Sequence, residues 1–248
     1  ASERHKLLRA QQTALAEKRR QLARTQQELA ALRQKHAAAA ERALLLEELE
    51  KRLEGLSAGV KELLQKARGA GEGPLAGIRG VVADLLSVNI ETAPLIEVAL
   101  GEMAQHVVVE PSRQLVEHLQ QAETRFSGRV GLIRLDVLPP LTGAEQIDLT
   151  GQRGVLGRAD RFVETAPDFA VLAKRLLGKT WIVETLGDAL LLQQSTGKGL
   201  NFVTRACELL SYDGCLAVGP RHTSTGLISR RSELRALWCA RQPFAARR

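Results

Sequence analysis

Leucines set the rhythm of the first 68 residues. Leu8, Leu15, Leu22 and Leu29 recur every seven positions, and Leu46, Leu49, Leu53, Leu56, Val60, Leu63 and Ala67 then step by three and four without a miss. Apolar positions spaced this way form one stripe along an α-helix, the seam of a coiled coil. Of residues 1–68, 59 are Ala, Leu, Glu, Lys, Arg or Gln, and no proline precedes Pro74. These side chains lose little freedom in a helix, so the pattern predicts a single long helix over 1–68. The two stripes differ in register, because sevens counted on from Leu29 reach His36, Ala43 and Glu50. A stammer or bend is expected between about Ala43 and Leu49, beside the alanine-rich HAAAAERA.

Helix propensity collapses at RGAGEGPLAG, which marks a linker over 69–76. The pattern beyond it changes to short apolar runs alternating with amphipathic stretches. GVVADLLSV, HVVVE, RVGLIRLD, TWIVET and NFVTRACELL read as strands. TAPLIEVALGEMA, PSRQLVEHLQQAE, PDFAVLAKRLLG and GDALLLQQST read as helices, with proline in a first turn where it is tolerated. The result is a mixed α/β globule over 77–222, about 145 residues and one domain in size. ALGEMAQHVVVE (99–110) and LLGKTWIVETLG (176–187) echo each other, with Gly101 and Gly178 at expected left-handed helix ends. Two related half-domains and a coincidence of a common helix-to-strand turn both account for the echo.

Leu227, Leu234 and Leu237, with Trp238 beside them, open a last helix within 223–248. Its one long partner in the chain is the first helix, which places the globule at the tip of an antiparallel coiled coil. The lengths differ: about 65 residues at 1.5 Å reach roughly 100 Å, and the returning helix covers at most about a third of that. Either a longer chain supplies the rest or the far part of the first helix pairs with another molecule. Pro243 is expected to disturb the final turn.

Charge divides along the same boundaries. Residues 1–68 carry 15 Lys/Arg against 9 Asp/Glu, 75–220 carry 13 against 17, and 221–248 carry 7 against 1, within a net +7. Attraction to phosphate therefore belongs to the flanks rather than the globule. No stretch approaches the roughly 20 apolar residues of a membrane span, and the polar, helical start is unlike a secretory signal, so a cytoplasmic protein without membrane partners is expected. Cys207, Cys215 and Cys239 are too few and too widely spaced for a disulfide framework or a C-x-x-C pair.

Catalytic chemistry finds little to stand on. STGKGL lacks the upstream glycine of a phosphate loop and has Gly199 where Ser or Thr should hold magnesium. His5, His36, His106, His118 and His222 are scattered, and Asp160 with Glu164 or Asp168 meets no convergent Ser, His or metal set. Neither an enzyme activity nor a cofactor or metal is expected.

GIRGVVADLLSV, LIEVALGEMAQHVVVE, FSGRVGLIRLD, GVLGRADRFVE with LLGKTWIVETLGDAL, NFVTRACELLSYDG and GLISRRSELRAL resemble, in this order, the successive segments of a bacterial structural maintenance of chromosomes (SMC) hinge and its exit into an arm. The resemblance covers about residues 75–240. It implies an α+β hinge of two subdomains over 77–222, with arm segments over 1–68 and 223–248, that pairs head to tail into a homodimer partly by joining strand edges. In the glycine-rich segment near its end the chain keeps Gly214 and Gly219, so the dimer interface is expected at Gly214, Cys215, Leu216, Ala217, Val218 and Gly219. Asp213, Val218 and Pro220 depart from the commonest glycine pattern there. The resemblance further implies DNA contact where hinge meets arms, at Arg221, His222, Arg230, Arg231 and Arg235 on the exit and Lys66 and Arg68 on the way in. Such a cluster binds phosphate without reading sequence, and no aromatic is interleaved to stack single-stranded bases. Chromosome condensation and segregation, nucleoid association, and kleisin and ATPase-head partners of the full-length protein follow from the same resemblance. The related repair ATPase with a zinc hook needs a C-x-x-C at the arm tip, which is absent. The competing reading is a nucleic-acid-binding coiled-coil protein that dimerises through its long helix and uses the globule for docking.

Overall fold

The computed structural model describes residues 2–69, 73–110, 113–120, 126–137, 143–219 and 226–245. The expected single helix is two. Helix α1 spans Ser2–Lys51 and α2 spans Ala58–Gly69, with a turn over 52–57. The bend thus falls beyond the expected Ala43–Leu49 window. The Leu53 N–H bonds to Glu50 O at 3.0 Å and the Glu54 N–H to Leu49 O at 2.9 Å, and Leu53 has φ +53°. These are the two bonds of a Schellman ending, with leucine in the left-handed position that glycine usually takes. Gly55 follows at φ +85°.

The break splits the second leucine stripe between two jobs. Ala43 and Leu46 of α1 pack with Leu234 and Leu237 of the last helix, α8 (Leu227–Ala245). Leu53, Leu56, Val60, Leu63 and Leu64 instead join the main core of the globule. Helix α2 is therefore built into the globule rather than the arm, contrary to an arm running to residue 68. The arm contact buries just two leucines and an alanine among the described residues, about 3–6 kcal/mol for the leucines. Leu8, Leu15, Leu22 and Leu29 lie beyond the reach of α8 and are about half exposed. Helix α8 continues through Pro243 to Ala245.

The globule is two three-stranded units built alike. The first comprises β1 (Ile78–Val81), α3 (Val82–Leu85), β2 (Ser87–Val88), α4 (Ala93–Leu100), β3 (Val107–Val109), α5 (Arg113–Gln120) and β4 (Leu132–Arg134). The second comprises β5 (Val155–Arg158), β6 (Val163–Glu164), α6 (Ala170–Leu177), β7 (Thr180–Val183), α7 (Leu186–Gln194) and β8 (Asn201–Thr204), extended by β9 (Leu209–Leu210) and β10 (Leu216–Ala217). Their sheets run β1-β3-β4 and β10-β9-β8-β7-β5, and β2 pairs with β6 across the units. In each unit the first strand is antiparallel to the central one with a register break at a glycine, Gly80 or Gly157, and the third is parallel to it. Glu110 N bonds Gly77 O and Glu184 N bonds Gly154 O, both at 2.8 Å. The sequence echo is thus one visible part of a repeated unit.

Strand β7 shows why these runs are strands. All four residues are buried, with Ile182 in the main core and Trp181 and Val183 in a second core with Phe202, Leu192 and Leu149. Period-2 side chains need apolar surroundings on both faces to tolerate this. The two echoed glycines differ from the expectation. Gly101 has φ +54° and ψ −128°, outside the left-handed helical well, and Gly178 is right-handed at φ −66°. At Gly178 a Cβ would run into the Lys174 carbonyl, so close approach rather than handedness requires glycine.

Candidate dimer edge and arm junction

Among the described residues the two larger sheets end in four terminal strands, β1 and β4 in the first unit and β10 and β5 in the second. Strand β10 pairs only with β9, and β4 only with β3. The β9-β10 hairpin is shaped locally. Gly214, at φ +85°, donates to Ser211 O at 3.0 Å, Asp213 Oδ1 accepts the Cys215 amide at 3.1 Å, and the Ser211 amide reaches Cys215 O at 2.8 Å. Tyr212 N is held by Asn201 Oδ1 at 2.8 Å and Ser211 O by Gln193 Nε2 at 2.7 Å, which fixes the hairpin to β8 and α7. Leu216 and Val218 are 43% and 61% exposed, and Cys215 and Ala217 are also exposed. Gly219 has φ +119°, and a Cβ at Gly214 or Gly219 would meet nothing within the chain. The six residues expected at the interface thus lie together, as an apolar edge with unpaired backbone groups. Such an edge is a template for another strand.

The cationic residues of the junction are placed differently from one another. Arg230 Nη2 donates to Glu54 O at 2.6 Å, in the turn between α1 and α2, and Arg230 Nε reaches Gly226 O at 3.4 Å. Arg231 is paired with Asp84 and, at 3.5 Å, with Glu50. Arg235 Nη2 donates to Leu86 O at 3.1 Å. Burial holds the Arg230 and Arg235 guanidinium pKa values below their usual level. These three side chains tie α8 to the globule and to α1 instead of pointing to solvent. Lys66 pairs with Glu62 at 2.8 Å and sits over the Phe126 ring, 5.4 Å from its centroid. Arg68 is exposed at the end of α2. Arg221 and His222 lie outside the described residues.

Sequence reasoning passed over the residue that starts α8. Glu97 of α4 accepts the backbone N–H groups of Leu227, Ile228 and Ser229 at 3.1, 2.7 and 3.2 Å. The first turn of a helix carries unpaired donors and partial positive charge, so a carboxylate there satisfies both. Gly226 is needed for the approach, since a Cβ would lie 2.6 Å from the carboxyl carbon. A lone charge inside the apolar run APLIEVAL was the available signal. Farther along the arm contact, Arg42 Nε and Nη2 grip Glu233 at 2.7 and 2.9 Å, and Trp238 Nε1 reaches Glu47 at 3.2 Å.

Among the described residues there is no cluster of His, Cys, Asp and Glu arranged for a metal, and no helix is long and apolar enough to cross a membrane. Residues 75–193 match the family model of the SMC proteins Flexible Hinge Domain. The Chromosome partition protein Smc of Rhodopirellula baltica is 42% identical over 196 residues, covering 79% of this chain and 16% of that protein. The chain therefore spans about a sixth of that relative's length. Among solved structures, an asymmetric dimer of the Geobacillus stearothermophilus SMC hinge domain matches with TM-score 0.70 and 26% identity over 86% of this chain and 85% of that one. The Pyrococcus furiosus SMC hinge domain matches with TM-score 0.50 and 28% identity over 73% and 89%. With the hinge model matched over 75–193, this relative and these solved hinge domains alike, the chain belongs to the SMC hinge family.

Proposed function

We propose that this chain is the self-association module of a chromosome-partition SMC protein, and that β10 of one copy pairs with β4 of a second. The observation that carries the reading is that β10, apolar and exposed, and β4 are terminal strands of different units of one globule. Edges that differ within a copy can close a two-fold pair through two equal joints, whereas a single open edge would give one. That the solved Geobacillus hinge is a dimer, an asymmetric one, supports self-association. The joined arms would serve chromosome condensation and segregation at the nucleoid, with kleisin and ATPase heads acting elsewhere in the longer protein.

Light scattering of the full chain tests this. The wild type should weigh twice 27.0 kDa, and Leu216→Pro, which removes an edge donor and fixes φ, should halve that mass. A mass unchanged by Leu216→Pro but halved by Leu15→Asp with Leu22→Asp would move dimerisation to the long helix and overturn the reading.

Sequence-independent DNA contact at the arm junction is a second element of the proposal. It rests on Lys66 and Arg68 together with Arg221 and His222, because Arg230, Arg231 and Arg235 are engaged within the fold.

A further inference from the structure

The turn between α1 and α2 has no proline, and the stripe Leu46, Leu49, Leu53, Leu56, Val60, Leu63 keeps its three-four spacing straight through it. Locally this is the sequence of a continuous helix, interrupted by one glycine that a helix tolerates at modest cost. Tertiary contacts hold it apart. Arg230 occupies the Glu54 carbonyl at 2.6 Å, Gln105 Oε1 accepts the Ser57 amide at 3.2 Å, and Arg231 reaches Glu50.

The bent form carries visible costs. Leu53 sits at φ +53°, a region its side chain disfavours. A cavity of about 10 Å³, close to the volume of one water, opens at the turn between Leu46, Leu49, Leu53, Leu56 and the two arginines. Beside it Arg231 Nη1 is buried without a hydrogen-bond partner among the described residues, and so are the hydroxyls of Ser229 and Ser232 on the same helix. Buried polar groups of this kind are rare, and three on one helix turn mark a contact that is not at its best packing.

We propose that residues 52–57 are a two-state joint, bent with Arg230 docked, or helical with α1 and α2 fused into one rod. The two states exclude each other geometrically. In a continuous helix the Glu54 carbonyl turns along the helix axis to accept the Ala58 N–H, away from the position in which Arg230 meets it at 2.6 Å. Leu53 and Gly55 return to right-handed backbone, and the leucine stripe becomes one unbroken seam. The joint couples the direction in which the arm leaves the globule to whether Arg230 is docked.

Amide hydrogen exchange on the full chain, read at residues 55–58 relative to residues 60–64 of α2, tests this. Gly55→Ala is disfavoured when bent, because φ is +85° and the new Cβ would lie 2.5 Å from Arg230 Nη2. It is favoured when helical by about fivefold. Arg230→Ala removes the docked group without touching the turn. Relative protection at 55–58 should rise about fivefold or more in both variants. If Arg230→Ala leaves the exchange of these amides as in the wild type, the turn has one state and the proposal fails, whether or not Gly55→Ala folds.

Discussion

Glu62 lies on the solvent side of α2 and does more than its exposure suggests. One carboxylate oxygen is 2.8 Å from Lys66 Nζ, and the other accepts the Ser127 amide at 2.8 Å. Lys66 first, then Ser127, hold its pKa down to about 2 from 4.5. A depressed carboxylate contributes stability that is fully present above the unfolded value and fades as pH falls toward the folded one. The docking of the Ser127 loop on α2 should therefore weaken between about pH 4.5 and 2. Carboxyl NMR titration should give a Glu62 midpoint near 2, with the Ser127 amide shifting in parallel, and Glu62→Gln should abolish both. Nothing in the sequence announced this pair, because Ser127 is 65 positions away and the loop has no periodic pattern. Arg230, Arg231 and Arg235 teach the converse. Their clustering was plain to read, but whether a guanidinium faces phosphate or a carbonyl depends on what the fold brings within 3 Å, here Glu54 and Leu86 from distant elements.

At the scale of elements, the start of α8 depends on a side chain 130 residues away. Glu97→Ala should cost about 2 kcal/mol, at the upper end for a helix cap because three donors lose a charged acceptor. Urea unfolding measures the loss, and faster exchange of the Leu227, Ile228 and Ser229 amides would localise it. Elements with apolar residues on both faces were legible: β3, β7 and β8 lie within the runs that predicted them. GVVADLLSV was read as one strand but is strand, helical turn and strand: β1 ends at Val81, one residue after the register break at Gly80 (φ +125°), and Asp84 accepts the Val81 amide at 3.3 Å. The break after Lys51 was illegible for a physical reason. Its left-handed position holds leucine, so the glycine signal that normally marks a helix end is displaced two residues to Gly55.

For the whole molecule, the first 40 residues carry nine Lys/Arg against three Asp/Glu, whereas 41–68 balance at six each. The proposed DNA contact should therefore extend to the outer arm as well as to the few cations left unburied near the globule. Binding to duplex DNA should fall steeply with salt, and Lys66→Gln with Arg68→Gln should reduce the slope of log affinity against log salt by about 2, with fold stability lowered only by the loss of the Lys66–Glu62 pair. Arg235→Ala should do the reverse, lowering the urea midpoint with little change of slope. The antiparallel arm, the two-unit globule and its apolar last edge could be read from the sequence. The end position of β4 in its sheet could not, because Leu132, Ile133 and Arg134 make too short a run to say which side of the strand is unpaired.

The two arm helices meet the globule through unlike attachments. Helix α8 is fastened at three depths, by Glu97 at its first turn, by Asp84 through Arg231 and by the Leu86 carbonyl through Arg235. Helix α1 reaches the globule through a six-residue turn held by Leu53 and Leu56 in the core and by Arg230 and Gln105. Tension applied along the arm should therefore be shared unevenly, with α8 the stiffer strut and the turn after α1 the first place to give. A tug at the far end would then be converted into rotation of the globule about the foot of α8.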